Sequence, residues 1–159
     1  MTDTRLEVSR TIPVDASTIF QLLSDPQGHV VIDSSGMLMS AEGSSVGAVG
    51  DQFVVHMDRE ALNDVPLGLY DVNVVITAFT LNEEIAWTVQ GRIRPQIGHV
   101  YGYRLTPTEG GTIVTSYYDW SNVDEEWKER ITFPIIAESS LRATLGILDR
   151  TLRGQQNAS

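Results

Sequence analysis

Between Pro134 and Arg153, apolar or small side chains return every three or four residues, at Ala137, Leu141, Thr144, Leu145, Leu148 and Leu152. At 3.6 residues per turn these positions share one stripe, and Glu138, Ser139, Arg142, Asp149, Arg150 and Arg153 are expected opposite. Pro134 suits the first helical turn, where the N–H it lacks has no helical partner. Arg150 and Arg153 favour the negative end of the helix dipole, and Gly154 is placed to end the helix. About twenty residues make a rod roughly 30 Å long, enough to cross a small domain. A rod with one apolar stripe must be wrapped by something curved, which constrains everything before it. Gly146, expected on the solvent side, should cost this helix on the order of 1 kcal/mol relative to alanine.

The preceding residues read mostly as strands. Arg5 to Ile12 alternates, with Leu6, Val8, Arg10 and Ile12 on one side, and Pro13 ends it. Asp15 is a good N-cap for a helix to about Leu23, with Ile19, Leu22 and Leu23 inward. Ser24-Asp25-Pro26 stops it, and Pro26 can open a second short helix through His29 and Val30. Asp33 to Gly36 is a turn by composition. Short strands are then expected at Met37 to Ala41 and around Phe53, Val55 and Met57, separated by the glycine-rich Gly43 to Gly50. A polar loop, Asp58 to Leu67, leads to a long strand with Tyr70, Val72, Val74 and Ile76 on its inner face. Ile85 to Val89 follows, and His99, Tyr101, Tyr103 and Leu105 alternate along the next strand. Glu109-Gly110-Gly111 makes a hairpin turn into Thr112 to Trp120. In that last strand either Val114, Tyr118 and Trp120 or Ile113, Thr115 and Tyr117 can face in. Asn122 to Phe133, which holds Trp127, reads as an irregular flap.

The order is strand, two short helices, six strands, long helix. The expected class is α+β, a seven-stranded curved antiparallel sheet wrapped around the C-terminal helix. A curved sheet and a straight rod do not fit along their whole length, so a cavity is expected between them. A chain of 159 residues suits one domain, expected over 1–154 with a flexible tail at 155–159. The net charge of −10 argues against nucleic acid and anionic membrane surfaces as partners. No run of eighteen apolar residues and no secretory signature is visible, so a cytoplasmic location without a membrane span is expected. There is no cysteine, which excludes disulfides and thiolate chemistry.

The succession of elements resembles the START-like, or Bet v 1-like, helix-grip superfamily, and more narrowly the bacterial polyketide cyclase/dehydrase-type group. The likeness is carried by Ile12-Pro13-Val14-Asp15-Ala16, Val31 to Gly36, Gly50-Asp51-Gln52-Phe53 and Ile85-Ala86-Trp87. It continues through Tyr101 to Leu105, Gly111-Thr112, Tyr118 to Ser121 and Ser140 to Leu145. The resemblance implies a cavity that binds or transforms apolar molecules. One cavity of this kind hosts many chemistries, so function has to be argued from the site.

Met57, Tyr70, Trp87, Tyr101, Tyr103 and Leu141 are the candidate ligand-binding residues. Aromatic faces with hydroxyl or indole donors orient a ligand, and Met37, Met39 and Met57 would make the pocket adaptable. The alternative is that these rings simply fill the core. His29 and Asp33 are the catalytic candidates, a histidine and a carboxylate that can relay a proton to a carbonyl or enol. The alternative makes His29 a surface residue and Asp33 a turn cap. Arg59, Arg92 and Arg94 can meet a carboxylate ligand or stay solvated. His29, His56 and His99 lack metal-ligand spacing, so no metal is expected, and no cofactor is implied.

The function expected is binding of a small hydrophobic molecule, lipid or polyketide-like, beneath the long helix. The runner-up is a cyclase or dehydratase in the same cavity, and the third reading is a protein-interaction domain of the chaperone-activator kind. A homodimer is the assembly left open.

Overall fold

The computed structural model describes residues 4–59, 68–91 and 96–157. Strand β1 (Arg5–Ile12) is followed by helices α1 (Ala16–Ser24) and α2 (Pro26–Val31). Strands β2 (Leu38–Glu42), β3 (Gln52–Asp58), β4 (Leu69–Thr80) and β5 (Glu84–Gln90) come next. Strands β6 (Val100–Thr108) and β7 (Gly111–Asp119), a short helix α3 (Glu125–Arg130) and the long helix α4 (Glu138–Asn157) complete the order. The strands form one antiparallel sheet, β1-β7-β6-β5-β4-β3-β2. Through α1 and α2 the chain crosses from one edge of this sheet to the other. It then returns strand by strand until β7 pairs with β1.

Local chemistry explains the crossing. Asp15 caps α1, accepting the Thr18 N–H at 3.3 Å and the Thr18 hydroxyl at 2.7 Å. Pro26 occupies the first turn of α2, while the Asp25 carboxylate accepts the Gln27 N–H at 3.0 Å. The two helices meet in close contact at Gly28, where a Cβ would lie 2.0 Å from the Leu22 carbonyl oxygen. Only glycine permits that approach.

Period-two alternation fills the concave face. Phe53, Val55 and Met57 of β3 stand opposite Val74, Val72 and Tyr70 of β4. A row of cross-strand partners runs Ile76, Trp87, Tyr101, Tyr118 and Leu6 across five strands. Helix α4 seals one side of this face, packing chiefly on β1 and β7 through the fully buried Leu145, Leu148 and Leu152.

The structure corrects several expectations. Helix α4 begins at Glu138 rather than Pro134 and passes through Gly154 to Asn157. Residues 134–137 stay irregular after a cis Phe133–Pro134 bond, and the Ile135 backbone hydrogen-bonds the Tyr118 hydroxyl. Contact with the sheet thus overrides the helical pattern there. Asp149 is buried instead of solvent-facing, because it flanks the leucine stripe and binds Arg10 of β1 at 2.8 Å and Arg153 at 2.7 Å. The flap contains helix α3, capped by the Asp124 side chain on the Glu126 N–H. In β7, Val114, Ser116 and Tyr118 face inward, yet Tyr117 on the outer face is also buried. Its ring covers Gly102, where a Cβ would lie 2.3 Å from Cζ, beneath the Arg5 guanidinium at 3.9 Å. Two buried faces explain why alternation alone could not orient this strand. Met39 is exposed. Most of the loop expected after Asp58 lies outside the described residues.

Candidate ligand cavity

Because α4 leans on β1 and β7, the middle of the sheet is left partly uncovered, and a cavity of about 450 Å³ opens there. Its volume falls among pockets of about 300–1,000 Å³ that enclose small organic ligands. Its floor is the concave face of β3 to β6, and its wall is mostly apolar. The first half of α4 borders it through Ser140, Leu141 and Thr144, beside Ile135 and Ile136. Leu148 and Leu152 do not reach it. The turn at 33–36 forms part of the rim, tied to α4 by a 2.9 Å bond between the Ser34 and Thr144 hydroxyls.

All eight candidates from the sequence lie on this one cavity: His29, Asp33, Met57, Tyr70, Trp87, Tyr101, Tyr103 and Leu141. Met37 and Arg59 also border it, whereas Arg92 and Arg94 lie outside the described residues. The rings are contiguous. His29 meets Phe53 edge-on at 5.1 Å and Trp87 at 4.7 Å between centroids. Trp87 stacks on Tyr101 at 6.1 Å with 16° between planes, and Tyr101 meets His99 at 5.1 Å.

His99 is the site residue that sequence reasoning passed over. It alternates with Tyr101, Tyr103 and Leu105, a signal sufficient to place it on the inner face. Its Nδ1 shares a 2.7 Å hydrogen bond with the Tyr118 hydroxyl.

His29 and Asp33 are not hydrogen-bonded to each other. His29 is buried rather than a surface residue, and its Nε2–H donates to the Leu23 carbonyl at 2.9 Å. Asp33 accepts four hydrogen bonds, from the Ser35 N–H and hydroxyl and from the Gly36 and Leu38 N–H groups. Its carboxylate holds the turn.

Burial disfavours charge on the buried histidines and tyrosines of the cavity. Desolvation lowers the pKa of His29 to about 4, outweighing the Leu23 carbonyl and the Asp25 charge, and it lowers that of His99 to about 4. The phenols of Tyr101 and Tyr103 are pushed up by burial, with smaller contributions from Tyr70 and from the Asp33 carboxylate respectively. At neutral pH these histidines and tyrosines are therefore uncharged. The hydroxyls of Tyr70, Tyr101 and Tyr103 meet no protein partner among the described residues, yet they are not sealed in the interior. All three residues line the cavity.

No family model matches the sequence, and no curated protein matches it. Solved structures do resemble it. Protein Ms6760 from Mycobacterium smegmatis superposes with a TM-score of 0.66 at 16% identity, over 96% of this chain and 92% of that one. The AHSA1-like protein from Aeromonas hydrophila gives 0.62 at 12% identity, over 96% and 94%. Ginseng major latex-like protein 151 from Panax ginseng gives 0.61 at 14% identity, over 95% of each chain. The chain has the START-like, Bet v 1-like helix-grip fold.

Proposed function

We propose that this protein binds a small, uncharged, hydrophobic molecule, lipid or polyketide-like, in the cavity between the sheet and the N-terminal half of α4. One observation carries the reading. Three tyrosines whose hydroxyls have no protein partner among the described residues line a mostly apolar cavity. Buried polar groups are normally hydrogen-bonded, so a bound molecule with a few polar atoms would complete them while its apolar body covers the aromatic wall. The uncharged state of the histidines and tyrosines favours a neutral ligand. Acid–base catalysis finds less support, since Asp33 is saturated by its turn and His29 is too weak a base near neutrality to abstract a proton efficiently.

The test is a titration with the neutral fluorophore N-phenyl-1-naphthylamine. Trp87 lies on the cavity wall, so the probe should quench tryptophan emission saturably, and Val74→Trp, which fills the cavity floor, should abolish binding. Binding that persists unchanged in a folded Val74→Trp would place the probe elsewhere and refute the reading.

A further inference from the structure

His29 has a hydrogen-bonding polarity that the tyrosines lack. A carbonyl can only accept, so the 2.9 Å bond to Leu23 fixes the imidazole hydrogen on Nε2. The neutral ring carries one such hydrogen, which leaves Nδ1 with a lone pair and nothing to donate. Among the described residues no group meets this Nδ1. Nor is it one of the sealed orphan atoms, which are two Arg5 nitrogens and the Ser24 hydroxyl. Since His29 borders the cavity, its Nδ1 opens there. Edge-on contacts with Phe53 and Trp87 hold the ring in place, and rotating it would break the bond to Leu23. Burial keeps it unprotonated near neutral pH. A tyrosine hydroxyl accommodates either a donor or an acceptor, but His29 accommodates only a donor.

We propose that His29 Nδ1 is a specificity-determining acceptor that selects ligands bearing a hydroxyl or N–H donor on a neutral aromatic framework lying against Trp87. This rests on the ligand-binding reading above. A ligand whose hydroxyl is capped by a methyl group loses the bond and leaves a buried lone pair facing an ether oxygen, which also only accepts. A site built to receive a donor discriminates against analogues without one.

The experiment displaces N-phenyl-1-naphthylamine with 2-naphthol or with 2-methoxynaphthalene, in the wild-type protein and in His29→Phe. Phenylalanine keeps a ring between Phe53 and Trp87 but removes the acceptor. In the wild type, 2-naphthol should displace the probe at about fivefold lower concentration than the ether, the effect of one hydrogen bond of roughly 1 kcal/mol. In His29→Phe the two competitors should become equivalent, while the probe, whose own N–H loses the same acceptor, should bind more weakly. Equal competition in the wild type, or a preference that survives in His29→Phe, would overturn the role of His29 while leaving the cavity as a ligand site. Failure of N-phenyl-1-naphthylamine to bind the wild type at all would overturn both. Should His29→Phe not fold, imidazole ¹⁵N resonances of the wild type decide the matter. The Nδ1 signal of His29 should shift with saturating 2-naphthol and stay fixed with 2-methoxynaphthalene, and identical behaviour with both contradicts the proposal.

Discussion

A Cβ placed on Gly146 would meet Arg10 Nη1 at 3.9 Å, an ordinary contact, whereas one on Gly28 would collide with the Leu22 carbonyl oxygen. Gly146→Ala should therefore stabilise the protein by up to about 1 kcal/mol, the helix propensity gained. Gly28→Ala should destabilise it by roughly 1 to 3 kcal/mol, because α1 and α2 must separate. Urea midpoints of both variants check the opposite signs. His56, on the outer face of β3, lies between Asp71 at 2.6 Å and Glu42 at 2.7 Å. These bonds, that to Asp71 first, raise its pKa above 6.5. A raised histidine stabilises the folded state fully below its unfolded pKa, and this is lost as pH rises through the folded value. Stability measured from pH 5 to 9 should accordingly fall above about pH 6.5, and His56→Gln should flatten that part of the profile. At this scale the sequence was legible where chemistry is local. The Asp15 cap and the Asp33 turn needed no knowledge of the fold. Asp149 was misread because its burial depends on Arg10, far away in the chain.

Among the elements, strands were the easiest to read. Tyr70, Val72, Val74 and Ile76 alternate cleanly because only one face of β4 meets the core. Strand β7 could not be oriented, since Tyr117 is buried on the outer face by Gly102 and Arg5. Helix α4 was legible in its stripe but not in its start, because Ile135 and Ile136 were drawn to the cavity wall. The stripe divides in function as well. Leu148 is fully enclosed, so Leu148→Ala should cost roughly 3 to 5 kcal/mol. Leu141 borders existing space, so its truncation removes fewer contacts and should cost about 2 kcal/mol. Denaturant melts give the ranking. Probe titrations should show altered affinity for Leu141→Ala and unchanged affinity for Leu148→Ala.

Across the molecule, the cavity follows from how a straight helix meets a wide sheet. Helix α4 is fastened to β1 and β7 by its leucines and by the Arg10–Asp149 ion pair. Strands β3 to β6 consequently keep apolar faces that the helix does not cover. Apart from helix α3, the order of elements was readable in the sequence, and so was the existence of a gap. Its location was only partly readable, because it depends on which strands receive the helix. The eight candidate residues converge on that gap because inward alternation and proximity to the central strands select the same side chains. His99 obeys the same alternation.

The central claim is that this gap is a ligand site, and chemical-shift mapping tests it most directly. Uniformly ¹⁵N-labelled protein should be titrated with N-phenyl-1-naphthylamine while backbone amide signals are followed. Saturable shifts should concentrate at Trp87, Tyr101, Tyr103 and Leu141 and spare Ser9 and Thr115, whose hydroxyls bond each other on the exposed outer face. Shifts confined to the outer face, or none at saturating probe, would contradict the account.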